Sequence, residues 1–554
     1  MGKYNSKHEA VKPTEINKMG ELSYKMGDKE ELVSTVMTTF LNNGYYETEK
    51  EVVDRICAKL DKVDPLFSAK LAIYARNTGN LRSVTHLVSA YISKYISGTE
   101  WAKRFYNKIV VRPDDMSEIL SAYASLNGMK LDNIKKIPNS MKKGFKTSLE
   151  RLDVYQIDKY KMNGRNVKLI DIVNLFHPKG KQNNSEAYHN LMNGMSLEGL
   201  YSSKIFEKEM AKAGQETKGM TVAEKEETKK EAITAVIENV NGMPIMNLLR
   251  NLRNIILYAP DKVDDACKQL VIKDKILKSR LLPFRFATAY SEIEKLNYAK
   301  DTDTKIEFES DAAITTCTKE QFDINKEKVL NAIEDALQIS CLNIPKLEGN
   351  CAILVDHSGS VRGDAGGNSR VSAFSKTTRA MIGNLFASMV AYRQANVYIG
   401  LFGDRLIPVK IDRSKKLLDF NKYSYNEGAK CGTSTEAGIY TFMEEVVKEK
   451  KKIDNIIVFS DCQIGKGSYF ASWYGLKHDD RSPHFHELFK EFRKINPNAN
   501  FIVVNLNQTN GNSVFDRSQR ILNIAGWSDK IFDLITSNCK GWDAVIKEIE
   551  SIEI

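Results

Sequence analysis

A chain of 554 residues exceeds what one hydrophobic core supports, so two or more domains are expected. Hydrophobic residues at 42% and charged residues at 27% are ordinary globular values and exclude a chain that is mainly disordered. The formal charge of +10 permits an anionic partner without naming one, and no apolar run approaches the roughly 20 residues of a membrane span.

From the N-terminus, Met1 to Ala10 lacks the apolar stretch of a secretory signal, while Gly2 and Ser6 match the minimal N-myristoylation pattern. Up to about residue 340 the sequence reads as helix after helix. Lys50–Lys62, Pro65–Arg76, Arg82–Ser93 and Met116–Ser125 place apolar residues at i, i+3, i+4 and i+7, and the joints are short and marked by Gly, Asn or Pro. So many paired helices do not fit one bundle and point to a helical-repeat solenoid, with no convincing strand alternation. Residues 203–230 break the rhythm: rich in Lys, Glu and Thr, they read as a solvated helix or insertion. Eight cysteines with no C-x-x-C pair fit reduced thiols in a cytoplasmic protein.

The class changes near residue 345. Ala352–Val355, Val397–Phe402, Asn455–Phe459 and Phe501–Asn505 are brief, β-branched and apolar on both faces, as buried parallel strands are. Helices around Ser375–Gln394, Thr435–Glu449 and Pro483–Ile495 alternate with them, which predicts an α/β doubly wound sheet over 345–554 behind a helical domain over 1–344.

Ligands of such sheets bind beyond the carboxyl ends of the strands. There the first strand runs into Asp356-His357-Ser358-Gly359-Ser360, a loop carries Thr433, and a third strand runs into Asp461. Only oxygen donors converge, which selects a hard divalent cation, Mg²⁺ above all. Two carboxylates and three hydroxyls leave that ion incompletely neutralised, so an acidic group of a partner could complete its shell. His357 and Cys462 adjoin the donors, but nothing in the sequence orients them for catalysis. Phosphodiester cleavage is disfavoured because two-metal nucleases need denser acid clusters.

In the helical part, residues 141–181 hold ten basic side chains against four acidic, an excess of six and more than half that of the whole protein. Lys142, Lys143, Lys146, Lys159, Lys161, Arg165, Lys168 and Lys179 are the candidates for phosphate contact, with Tyr155, Tyr160 and His177 among them able to stack on unpaired bases. Arg76, Arg82, Arg250 and Arg285 could equally be packed between helices or line a basic channel.

Asp356, Ser358, Ser360, Thr433 and Asp461 resemble the metal-ion-dependent adhesion site (MIDAS) of von Willebrand factor A-type domains. The segments Leu71–His86, Val111–Leu120, Met141–Lys146, Val167–Lys179, Met243–Leu252 and Leu282–Phe286, in that order, resemble the TROVE domain of the Ro ribonucleoprotein autoantigen family, bacterial members included. That resemblance implies a monomeric ring of α-helical HEAT-like repeats closed by the A-type domain. It implies binding of small non-coding Y-type RNA and of misfolded RNAs with single-stranded ends, in RNA quality control or processing. His177 would then be an RNA contact on the outer surface, with Lys161 and Arg165 as basic contacts upstream of it. An exoribonuclease or another protein offering an acidic group would be the partner at the metal. The rival expectation is a metal-dependent protein-interaction module with no selective RNA affinity.

Overall fold

The computed structural model describes residues 13–16, 22–25, 27–38, 49–79, 81–130, 136–180, 184–201, 242–299, 312–314, 318–344, 346–363, 377–432, 436–461, 485–506, 520–525 and 542–554. The insertion at 203–230 and Gly2 lie outside them.

The helical part forms where the periodicity places it: Glu49–Leu60, Pro65–Asn77, Ser83–Tyr91 and Pro113–Leu126. Local chemistry sets the starts. Asp64 accepts the Phe67 amide at 3.0 Å while Pro65 fills the first turn, where its missing N–H is no loss. Helices then pack in interleaved pairs, Ser83–Tyr91 on Pro113–Leu126 and Ala102–Ile109 on Asn139–Arg151. The second pair approaches closely because residue 144 is Gly: a Cβ there would run into Tyr106 and the Lys103 carbonyl. Two small strand pairs interrupt the helices. They are β1 (Glu15–Ile16) antiparallel to β2 (Leu22–Ser23), and β3 (Asn297–Ala299) parallel to β4 (Ala312–Ile314). The helix-only expectation is corrected there; runs of two or three residues are too short to show alternation.

One buried polar hub stitches the early helices together. Asp115, fully buried, accepts from Arg76 Nη2 at 2.9 and 3.2 Å, from His86 Nε2 at 2.9 Å, and from the Val111 and Arg112 amides at 2.9 Å each. Burial alone would raise its carboxyl, but the hydrogen bonds and charges of His86 and Arg76 prevail and hold it well below the carboxylate range. Arg82 pairs with Asp114 at 2.5 Å. Of the two readings open for Arg76 and Arg82, the structure favours helix packing, because their guanidinium groups are committed to carboxylates.

The C-terminal part is a six-stranded sheet of order β10-β9-β8-β5-β6-β7. Its strands are β5 (Cys351–Asp356), β6 (Val397–Phe402), β7 (Leu406–Val409), β8 (Asn455–Ser460), β9 (Asn500–Asn505) and β10 (Ile521–Ala525). All neighbours are parallel except the β6–β7 hairpin at the edge. The four strands expected from sequence are the central ones. Their side chains alternate between two cores: Ile353, Val355, Ile457 and Phe459 join the core continuous with the helical part, whereas Ala352, Leu354, Ile456 and Val458 face helices Glu436–Glu449 and Phe485–Ile495.

The two parts meet twice. Helix Lys319–Ser340 lies against Ile245–Tyr258, Val263–Leu270 and Pro283–Glu294 on one side and against Leu417–Glu427 on the other, with Phe284 stacked on Phe386 at 6.0 Å. Far away in sequence, helix Trp542–Glu550 packs on Asp28–Thr38 and Pro65–Asn77, and β10 also packs on Asp28–Thr38. Lys29 pairs with Glu550 at 2.6 Å, Lys70 donates to the Glu550 carbonyl, and Arg104 and Lys108 donate to the Ile554 and Glu553 carbonyls at 2.9 and 2.8 Å. The chain therefore closes into a ring of helical repeats with the α/β domain as its last segment. Among the described residues, no helix is long and apolar enough to cross a membrane.

Candidate functional site

The sheet reverses direction of strand order between β5 and β8, and the crevice beyond their carboxyl ends is where such sheets hold ligands. Asp356 ends β5 and Asp461 follows β8; both are buried. One Asp356 oxygen accepts the Ser358 amide at 2.9 Å and the other accepts the Ser460 hydroxyl at 2.6 Å, which fixes the carboxylate plane. The Ser358 and Ser360 hydroxyls stand 3.1 Å apart. Burial, and then the neighbouring Asp461 charge, push the Asp356 carboxyl up. A buried carboxylate held back from ionising beside a second one, faced by hydroxyls, is the donor chemistry that a hard divalent cation relieves. Among the described residues no three His, Cys, Asp or Glu side chains form a metal-holding group, so the serine hydroxyls are needed to complete a donor set. Thr433 lies outside the described residues.

Asp404, which the sequence reading did not single out, belongs to this edge. It follows β6, is buried, and donates its amide to the Cys431 carbonyl at 2.8 Å. Gly432, at φ +73°, leaves room for its carboxylate, into which a Cβ would run. The Cys431 thiol is pushed up to about 12 by burial and then by the Asp356 and Asp404 charges. The Phe402-Gly403-Asp404 run at the strand end was the available signal.

His357 is structural. It is fully buried against Tyr425 at 5.7 Å, its Nδ1 accepts from Arg362 at 2.8 Å, and burial followed by the Arg362 charge pushes it down to about 3. A neutral, clamped imidazole has no proton to give near neutrality. Cys462 lies outside the described residues.

The basic residues of 142–179 fall into two groups. Lys142, Lys143 and Lys146 follow one another along the outer side of helix Asn139–Arg151, whose inner side buries Met141, Phe145, Ser148 and Leu149. Lys168 starts helix Leu169–Phe176 and His177 ends it in the left-handed conformation, exposed, just beyond the Phe176 ring that meets Phe145 at 5.8 Å. Lys179 follows, its amide near the Glu150 carboxylate at 3.4 Å. Among the described residues these side chains have no carboxylate partner. The second group is neutralised: Lys161 pairs with buried Asp158 at 2.8 Å and Arg165 with Glu118. Lys159 stands over Tyr155 and Tyr160 at 5.6 and 5.9 Å, and Arg112 covers the Tyr160 ring at 4.8 Å. Each tyrosine ring thus has at least one cation over it.

A family model described as the TROVE domain matches residues 6–236 and 188–352. Telomerase protein component 1 of Rattus norvegicus is 26% identical over 108 residues, which is 20% of this chain and 4% of that protein. The Mus musculus protein of that name is 27% identical over 105 residues, 19% and 4% of the respective lengths. The chain thus spans only a small part of these curated relatives. The crystal structure of the Deinococcus radiodurans RO (RSR) protein matches with a TM-score of 0.58 at 14% identity, over 92% of this chain and 99% of that one. The likeness in fold extends over both the helical ring and the α/β domain. With the family model covering over half its length, the chain belongs to the TROVE-domain family.

Proposed function

We propose that this chain is a cytoplasmic ribonucleoprotein scaffold, not an enzyme, which holds small non-coding RNA of the Y type and misfolded RNAs ending in a single strand. The observation that carries this reading is the first basic group. Lys142, Lys143 and Lys146 on one helix, and Lys168 and Lys179 on the segment that carries exposed His177, have no carboxylate to neutralise them among the described residues, so their charge is left for phosphate. Lys161 and Arg165 already spend their charge on Asp158 and Glu118 and contribute less. At the sheet edge, Asp356, Ser358, Ser360 and Asp461, with Thr433, would hold Mg²⁺ and offer it to an acidic group of a protein partner such as an exoribonuclease.

The test is RNA binding across a salt titration, comparing a hairpin with a single-stranded tail against a duplex of equal length. Each released phosphate contact on a single strand is worth about 0.7 in the slope of log K against log salt. Replacing Lys142, Lys143, Lys146 and Lys168 by Ala should flatten the slope by up to roughly 3 and abolish the preference for the tailed RNA. Weak binding, equal for both RNAs and unchanged by the four substitutions, would refute the scaffold. Mg²⁺-dependent capture of an acidic protein, without selective RNA affinity, would then stand in its place.

A further inference from the structure

At the opposite edge of the sheet from Asp356, the amino ends of β5 and β6 and helix Glu436–Glu449 enclose a cavity of about 300 Å³. Its wall is apolar over Val397, Phe442, Val446 and Ile453, with the Tyr398 ring lying 5.5 Å from that of Phe442. Two polar groups depart from this character. The Tyr398 hydroxyl is buried and has no hydrogen-bond partner in the protein. Glu445, half-buried on the same wall, has no cation beside it among the described residues. The two lysines at the rim are engaged elsewhere: Lys451 pairs with Glu449 at 2.8 Å and Lys452 donates to the Ile495 carbonyl at 2.6 Å. Asn350, also on the rim, is satisfied through Asp454 at 2.7 Å and the Lys452 carbonyl at 3.1 Å. Glu445 and Tyr398 both line this cavity, and burial, followed by the Glu445 charge, pushes the Tyr398 phenol up.

An apolar recess with a few convergent, unsatisfied polar groups is the usual construction of a small-molecule site. A buried hydroxyl with no partner, on the same wall as a carboxylate with no ion pair, suits a positive ligand that donates hydrogen bonds. We propose that this cavity binds a compact organic cation, a protonated amine on an apolar body, with the ammonium between Glu445 and the Tyr398 oxygen and the hydrocarbon against Val397, Phe442 and Val446. The site is separate from the metal edge and from the basic surface, and it depends on neither reading.

The probe is n-hexylammonium, compared with hexan-1-ol and hexanoate, titrated into the full chain and followed by saturation-transfer NMR of the ligand. Saturable binding of hexylammonium, at least about tenfold tighter than hexanol, is expected, with no binding of hexanoate. Glu445→Gln should cost about tenfold in affinity for the amine and leave hexanol unchanged, and Tyr398→Phe should cost a few-fold. Val446→Phe fills the recess and should abolish binding of the amine and the alcohol; its melting temperature checks that the fold is kept. Equal affinity for amine and alcohol with no effect of Glu445→Gln would reduce the cavity to an apolar cleft and overturn the proposal. So would amine binding that survives Val446→Phe, or its absence at millimolar concentration.

Discussion

Replacing Asp115 by Ala tests the account of how the early repeats are held. The carboxylate receives the Arg76 guanidinium, a longer contact from Arg82 Nε at 3.5 Å, one imidazole N–H and two main-chain amides, and it is fully buried. Removing it strands the Arg76 charge in the interior, which for a buried pair costs about 3–5 kcal/mol. The two amides lose their acceptor as well, which places this substitution at the upper end. In a cooperative unit of roughly 200 residues each kcal/mol shifts Tm by about 2–4 °C, so a fall of roughly 10–20 °C is expected in far-UV circular dichroism. Asp115→Asn combined with Arg76→Met removes both charges and should recover at least about 2 kcal/mol relative to Asp115→Ala. Acid provides a second readout. Because the folded carboxyl lies below its unfolded value, its contribution is complete above about pH 4 and is lost as pH falls below that. Asp115→Ala should therefore lose less stability than the wild type below about pH 4. A Tm shift worth less than about 1 kcal/mol, or a double variant no better than the single, would refute the hub.

Three further outcomes follow from geometry. Gly144→Ala pushes a methyl into Tyr106 and the Lys103 carbonyl and should cost about 1–3 kcal/mol in urea unfolding; an unchanged midpoint would mean that the helix pair gives way freely. Mg²⁺ at about a hundred times its Kd should stabilise the wild type by about 2.7 kcal/mol. Asp356→Asn should raise the metal-free Tm and lose that response, because it removes one of two mutually repelling carboxylates; a lower metal-free Tm would count against the repulsion. Replacing Lys70, Arg104 and Lys108 by Ala should speed amide exchange in Trp542–Glu550 by about tenfold or more, and unchanged exchange would deny those contacts a role in closing the ring.

The long elements were legible because burial writes a period into them. Pro65–Asn77 and Pro113–Leu126 carry helical spacing, and β5, β6, β8 and β9 carry unbroken apolar runs because both faces are covered. The edge strand β7 was missed: four residues including Pro408 resemble a loop, and an edge needs no second partner. At the carboxyl edge of the sheet, the placement of Asp356, Ser358, Ser360 and Asp461 beyond β5 and β8 was legible because strand ends and ligand loops coincide in such sheets. Asp404 was not, since its place depends on the turn after β6 meeting Gly432, a contact between residues 28 positions apart. The basic stretch was visible as charge, but its division was not. Glu118 neutralises Arg165 from a helix 47 residues upstream, and no local count of charge registers that pairing.

An open stack of repeats frays at its ends, where a terminal unit has one neighbour. Here 521 positions of sequence separate Lys29 from Glu550, and the two are bonded. The first and last described helices each gain a second neighbour, so the molecule is mechanically a hoop. Loosening either end releases surface on both, which links the melting of the two most distant stretches of sequence. A hoop also has no privileged starting point.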